Sequence, residues 1–152
     1  MEFSTLLKAI QPSAVSEALG ADYTTVEDDQ AAHTFLGAGT VTDGEAPIAL
    51  HGTLTESIGV RADLRGVALS LANGKTVFAA VGKNGLLPTP ILDLLKNPAR
   101  LKALHDVKPV LLATRRSGVL LAPPWFDTMI ATYLLNPNRR NYTLEAVALD
   151  VL

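Results

Sequence analysis

FDTMIATYLLNPNRRNYTLEAVALDVL, residues 126–152, carries the pattern on which the reading of the fold turns. Asp127 stands directly before an apolar run that ends at Leu135. A carboxylate in that place accepts hydrogen bonds from the first free amides of a helix, so Asp127 is read as an N-cap. The run closes at Asn136-Pro137-Asn138, and Arg139-Arg140 follow, where cations complement the negative end of the helix dipole. A second helix is expected to open near Thr143. On the upstream side, Trp125 and Phe126 adjoin Pro123-Pro124 and are placed to pack as a hydrophobic staple at the helix start.

Working back along the chain, residues 119–122 read as a short strand that the two prolines terminate. A helix is expected over 109–116 with Gly118 beyond it, a strand over 101–107, and a helix over 88–95 in which Ile91, Leu92, Leu94 and Leu95 keep helical spacing. Further back lie three strands, 47–54, 65–71 and 76–81. The last two are joined at Asn73-Gly74, whose residues tolerate the positive φ of a type I′ turn. Residues 21–45 are polar and glycine-containing, with Glu27-Asp28-Asp29 and Gly37-Ala38-Gly39, and read as a linker. Residues 1–20 read as short helical pieces with Phe3, Leu6, Leu7 and Ile10 on one face.

The chain has 152 residues, 48% of them hydrophobic, enough for one domain with its own core. Its net charge of −2 supplies no overall positive field for a polyanion, so tight autonomous nucleic-acid binding is disfavoured. The absence of cysteine excludes disulfides and thiolate zinc sites and suits a reducing cytoplasm. No run approaches the roughly 20 apolar residues of a membrane helix, so no membrane partner is expected. Gly74-Lys75-Thr76 imitates the end of a phosphate-binding loop, but Leu69 stands where its first glycine belongs. Ser57, Ser70 and Ser117 lack the G-x-S-x-G elbow of nucleophilic hydrolases.

The order of residues 126–152 resembles a segment of the 3′ to 5′ proofreading exonuclease domain of bacterial DNA polymerase I, a family-A polymerase. Phe-Asp-Thr-Met, Tyr-Leu-Leu-Asn-Pro, a basic pair and a Thr-initiated helix occur in that family's sequence. Glu2-Phe3-Ser4-Thr5-Leu6-Leu7 resembles the signature joining its 5′ nuclease region to the exonuclease domain. The resemblance implies an α/β, ribonuclease-H-like (DnaQ-like) mixed sheet with flanking helices. It implies a connecting segment over 1–45 and a partial exonuclease-like domain over 46–152, with the family's last helices missing. It also implies polymerase and 5′ nuclease domains as partners, weak or indirect DNA contact, and a place in replication and repair.

Exonucleases of this class resemble two-metal phosphoryl-transfer enzymes, which need clustered oxygen ligands for hard cations. The resemblance places the family's first motif, Asp-x-Glu, at His51-Gly52-Thr53, and its second, Asn-Leu-Lys-Tyr-Asp, at Asp106-Val107-Lys108-Pro109-Val110. The carboxylates are replaced at His51, Thr53 and Val110, and the third motif falls beyond Leu152. The expectation is therefore a vestigial proofreading domain that is not an enzyme on its own and requires no cofactor. The alternative is a working exonuclease that uses Mg2+ or Mn2+ on relocated acids, Glu56, Asp63 and Asp106. Arg115, Arg116, Arg139 and Arg140 are the candidate phosphate contacts, against a reading of them as solvated, capping cations.

Overall fold

A computed structural model describes residues 23–37, 46–55, 61–72 and 74–151. Strands β1 (Tyr23–Val26), β2 (Ile48–Leu54), β3 (Leu64–Ser70), β4 (Thr76–Ala80), β5 (Lys102–Leu104) and β6 (Trp125–Asp127) form one sheet in the order β1-β4-β3-β2-β5-β6. β2, β3 and β4 pair antiparallel, whereas β1 joins β4, β5 joins β2 and β6 joins β5 in parallel. The helices are α1 (Asp29–Leu36), α2 (Thr89–Lys96), α3 (Val107–Arg116), α4 (Thr128–Leu135) and α5 (Leu144–Val151).

Side chains alternate across a strand, and β2 to β4 use that alternation to divide apolar from polar. Ile48 and Leu50 of β2, Val67 and Leu69 of β3, and Val77 and Ala79 of β4 are buried in one core. Ala32 and Leu36 of α1, Ile91, Leu94 and Leu95 of α2, and Val110 and Ala113 of α3 complete it. The opposite face carries Ala49, His51 and Thr53 of β2, with His51 opposite Ala68 of β3 and Ala68 opposite Phe78 of β4.

Gly66 sits on that second face because the Phe78 ring crosses it. A methyl group built on Gly66 would lie 2.5 Å from Phe78 Cζ and 2.7 Å from the Ala79 carbonyl oxygen. Gly74, with φ +83°, turns the chain between β3 and β4. Its expected partner Asn73 lies outside the described residues.

The linker reading of residues 21–45 needs correction over its described part. Residues 23–36 form β1 and α1, which are integral to the sheet and the core. The acidic run taken for linker polarity begins a helix: Asp28 is the N-cap, accepting from Ala31 N at 2.8 Å. β1 is an edge strand with only Val26 buried, so it lacks an alternating apolar signature.

The expected strand over 119–122 is also absent. Val119 N donates to Thr114 O and Ala122 N to Leu95 O, so helix ends take up that backbone. The strand instead follows the cis Pro123-Pro124 bond, as β6. Trp125 and Phe126 therefore belong to an edge strand and are 38% and 49% exposed, which replaces the staple reading. β5 is shorter than expected, and α3 starts at Val107 rather than Pro109. The expected helical pieces over 1–20 lie outside the described residues, as do Ala38-Gly39 and Ser57.

Candidate functional site

The candidate site is the region where β2, the β5–α3 turn and the start of α4 meet. Its organising group is Asp127. One carboxylate oxygen, Oδ1, accepts from Met129 N at 2.9 Å and Ile130 N at 3.3 Å, which caps α4. The same oxygen accepts from Asp106 N at 3.2 Å, and Oδ2 accepts from Val107 N at 2.8 Å, which caps α3 as well. α3 needs this outside help because Asp106, its own N-cap, lies in the left-handed region with φ +56° and makes no side-chain cap. Burial raises the Asp127 pKa, but the amide donors outweigh it and hold the carboxyl below the usual value.

His105, one residue before that turn, was not singled out by the sequence. Its Nδ1 lies 2.9 Å from Thr128 Oγ1 and its Nε2 lies 2.7 Å from the Tyr142 carbonyl oxygen. The carbonyl can only accept, so Nε2 carries a proton. The imidazole thereby ties the end of β5 to α4 and to the loop before α5. The Tyr142 ring also packs against Tyr133 of α4, with centroids 5.9 Å apart. His51 and His105 border one cavity of about 250 Å3, floored by Ala49 and Ala103 and flanked by Thr128 and Leu144.

The family-motif positions do not converge. His51 and Thr53 point to the exposed face of β2. Val110 lies on the opposite side: a methyl group built on Gly52 would be 2.9 Å from Val110 Cγ1 and 3.0 Å from Cγ2. The Val110 side chain thus occupies the space over the one β2 motif position that lacks a side chain. Asp106 remains beside the turn, half-buried, and Asp63 is bound to Arg116 with 3.2 Å between Oδ1 and Nη2. Glu56 lies outside the described residues. Among the described residues no three His, Asp or Glu side chains are grouped to hold a metal ion. A pair of hard divalent cations needs clustered oxygens, and His51, Thr53 and Val110 do not fit that requirement.

The basic pairs separate too. Arg139 is an internal clamp: Nε donates to Asn141 O and Nη2 to Ala146 O, each at 2.5 Å, and Nη1 pairs with Asp150. Arg140 is exposed. Arg115 and Arg116 end α3, where their charge complements the helix dipole.

Residues 55–151 match the family model for the DNA polymerase I ribonuclease H-like domain. The chain belongs to that family. The match starts after His51-Gly52-Thr53, so the first-motif strand of this ribonuclease H-like domain lies outside the matched segment.

Among solved structures, the domain is similar to the POL domain of Pol1 from M. smegmatis in complex with DNA primer-template and dNTP. Identity there is 25% and the TM-score 0.64, over 84% of this chain and 22% of that one. It shares its fold with Brucella melitensis NrnC with bound Mg2+ at 15% identity and TM-score 0.66, over 85% of this chain. It does so too with Escherichia coli RNase D, an exoribonuclease involved in structured RNA processing, at 19% identity and TM-score 0.59. That match covers 76% of this chain and 29% of RNase D. The domain spans 60% of the length of the NrnC chain it matches. No curated protein sequence matches the chain.

These relationships correct one expectation. Setting the chain outside the enzymes does not stand, because its fold is that of an exonuclease family. No helix among the described residues is long and apolar enough to cross a membrane.

Proposed function

We propose that the chain is a proofreading-type exonuclease domain of a DNA polymerase I in which the metal-binding face is vestigial. Its role in that reading is architectural. It holds polymerase and 5′ nuclease regions in place during DNA replication and repair in the cytoplasm, with weak or indirect contact to DNA. The observation that carries the proposal is the split of the motif positions: His51 and Thr53 occupy one face of β2, and Val110 packs on Gly52 from the other. Restoring acids at these places would not by itself bring their oxygens together. The family match and the Pol1 similarity support the polymerase setting.

A second reading, a metal-dependent 3′ to 5′ exonuclease working on Mg2+ or Mn2+ with Asp63, Asp106 and Glu56 as relocated ligands, draws on the fold shared with Mg2+-bound NrnC. The engagement of Asp63 by Arg116 weighs against it. The deciding experiment is incubation of the purified chain with 3′-labelled single-stranded DNA and Mg2+ or Mn2+, beside a chelator control. Intact DNA supports the vestigial reading. Shortening that depends on the metal and is lost in Asp106→Asn overturns it in favour of the second.

A further inference from the structure

The cavity bordered by His51 and His105 has a floor that strand register fixes. Ala103 of β5 lies beside Ala49 of β2, Ala49 stands opposite Ser70 of β3, and Ser70 stands opposite Thr76 of β4. With strands about 4.8 Å apart, this row of small side chains makes a flat floor about 14 Å across. Leu144 of α5, 49% exposed, closes one side. No Asp, Glu, Lys or Arg lines the space, so a phosphate or a metal-bound nucleotide finds neither a cation nor a carboxylate there.

The hydrogen bonds decide which polar groups are left for a ligand. His105 commits both ring nitrogens, one to Thr128 Oγ1 and one to the Tyr142 carbonyl oxygen. Thr76 Oγ1 donates to Ser70 Oγ at 3.2 Å, which leaves the Ser70 hydroxyl proton to donate elsewhere. The His51 ring has no hydrogen-bond partner among the described residues. His51 faces Ala68 and Ser70 faces Ala49, so His51 and Ser70 are diagonal neighbours with Cβ atoms about 7–8 Å apart.

We propose that this cavity binds an uncharged two-ring heteroaromatic small molecule, laid flat on Ala49, Ala68 and Ala103, with one polar atom at Ser70 and another at His51. Size agrees: an apolar cavity of about 150 Å3 takes benzene, and about 250 Å3 leaves room for a second fused ring. Shape agrees as well, because a floor of methyl groups and short hydroxyls fits a plane better than a branched chain. The uncharged lining separates this ligand from a nucleotide. The proposal does not rest on the architectural reading above, since ligand binding and DNA shortening are read in separate assays.

The test is an NMR titration of the isotopically labelled chain with 5-hydroxyindole, with indole and with deoxyadenosine monophosphate. Saturable shifts of the Ala49, Ala68 and Ala103 amides by 5-hydroxyindole are expected, with a Kd of about 1 mM or tighter for a ligand of about ten non-hydrogen atoms. Ala49→Leu raises the floor and is expected to weaken both indoles about tenfold or more. Ser70→Ala is expected to weaken 5-hydroxyindole about three- to tenfold and indole by less than about twofold, because only the former accepts from the serine hydroxyl. That variant removes a single oxygen, so it keeps the test decisive where Ala49→Leu disturbs the fold. Absence of saturable binding by 5-hydroxyindole would overturn the proposal, as would equal losses of the two indoles in Ser70→Ala. Binding of the monophosphate as tightly as 5-hydroxyindole would also overturn it, by making the cavity a nucleotide site.

Discussion

Asp127 holds the starts of two helices with one carboxylate, and that double duty makes it the residue whose removal is most informative. Losing the caps of both α3 and α4 in Asp127→Ala is expected to cost about 1–3 kcal/mol in chemical denaturation, since a single cap contributes about 1 kcal/mol. The sign of its pH dependence follows from the lowered folded-state pKa. The contribution is full above the unfolded value of about 3.9 and is lost as pH falls through the folded value. Acid titration of stability should accordingly be flatter in Asp127→Ala than in wild type below about pH 4; parallel curves would remove Asp127 from this role. Half of that role is legible in the sequence, because an aspartate before an apolar helix announces a cap. The bonds to Asp106 and Val107 are not, since they join residues about twenty apart that only the pairing of β5 with β6 brings together. Val110 is similar: its apolar identity is readable, but the face it occupies depends on the pleat of β2.

At the scale of elements, helix ends are repeatedly closed by groups from elsewhere in the fold. Asp29 of α1 accepts from Thr89 N at 2.7 Å, at the start of α2, which Pro88 cannot cap with a side chain. Lys102 of β5, 1% exposed, reaches the far end of α2, donating from Nζ to Asn97 O at 2.6 Å and to Ala122 O at 2.9 Å. Burial, then the neighbouring Arg100 charge, lower the Lys102 pKa. Lys102→Met strands both carbonyls and is expected to lower stability by about 1–3 kcal/mol at neutral pH; an unchanged denaturation midpoint would contradict this. Gly66→Ala is expected to cost a similar amount, about 1–3 kcal/mol, because a rigid backbone oxygen and the Phe78 ring both block the added methyl. Sequence periodicity located β2 to β4 and α2 closely, since each carries a regular apolar pattern. It missed β1 and α1, where an exposed edge strand and an acidic first turn resemble a linker, and it placed the last strand too early, where buried loop residues resemble β structure.

At the scale of the molecule, burial is uneven. α1 to α3 pack on one face of the sheet, whereas α4 has no buried residue and leaves Leu134 at 74% and Leu135 at 88% exposure, with Leu149 of α5 at 85%. Exposed apolar surface of this kind drives association. The isolated chain is expected to self-associate at tens of micromolar in light scattering, and Leu134→Lys/Leu135→Lys to reduce it; a monodisperse wild-type monomer would count against this. The vestigial reading rests on placement: the family's motif positions stand on opposite faces of β2. The measurement that tests it most directly is a nuclear Overhauser spectrum of the isotopically labelled chain. Strong cross-peaks from the Val110 methyl protons to the Gly52 α-protons are expected; cross-peaks from those methyls to the His51 and Thr53 side chains instead would contradict that placement.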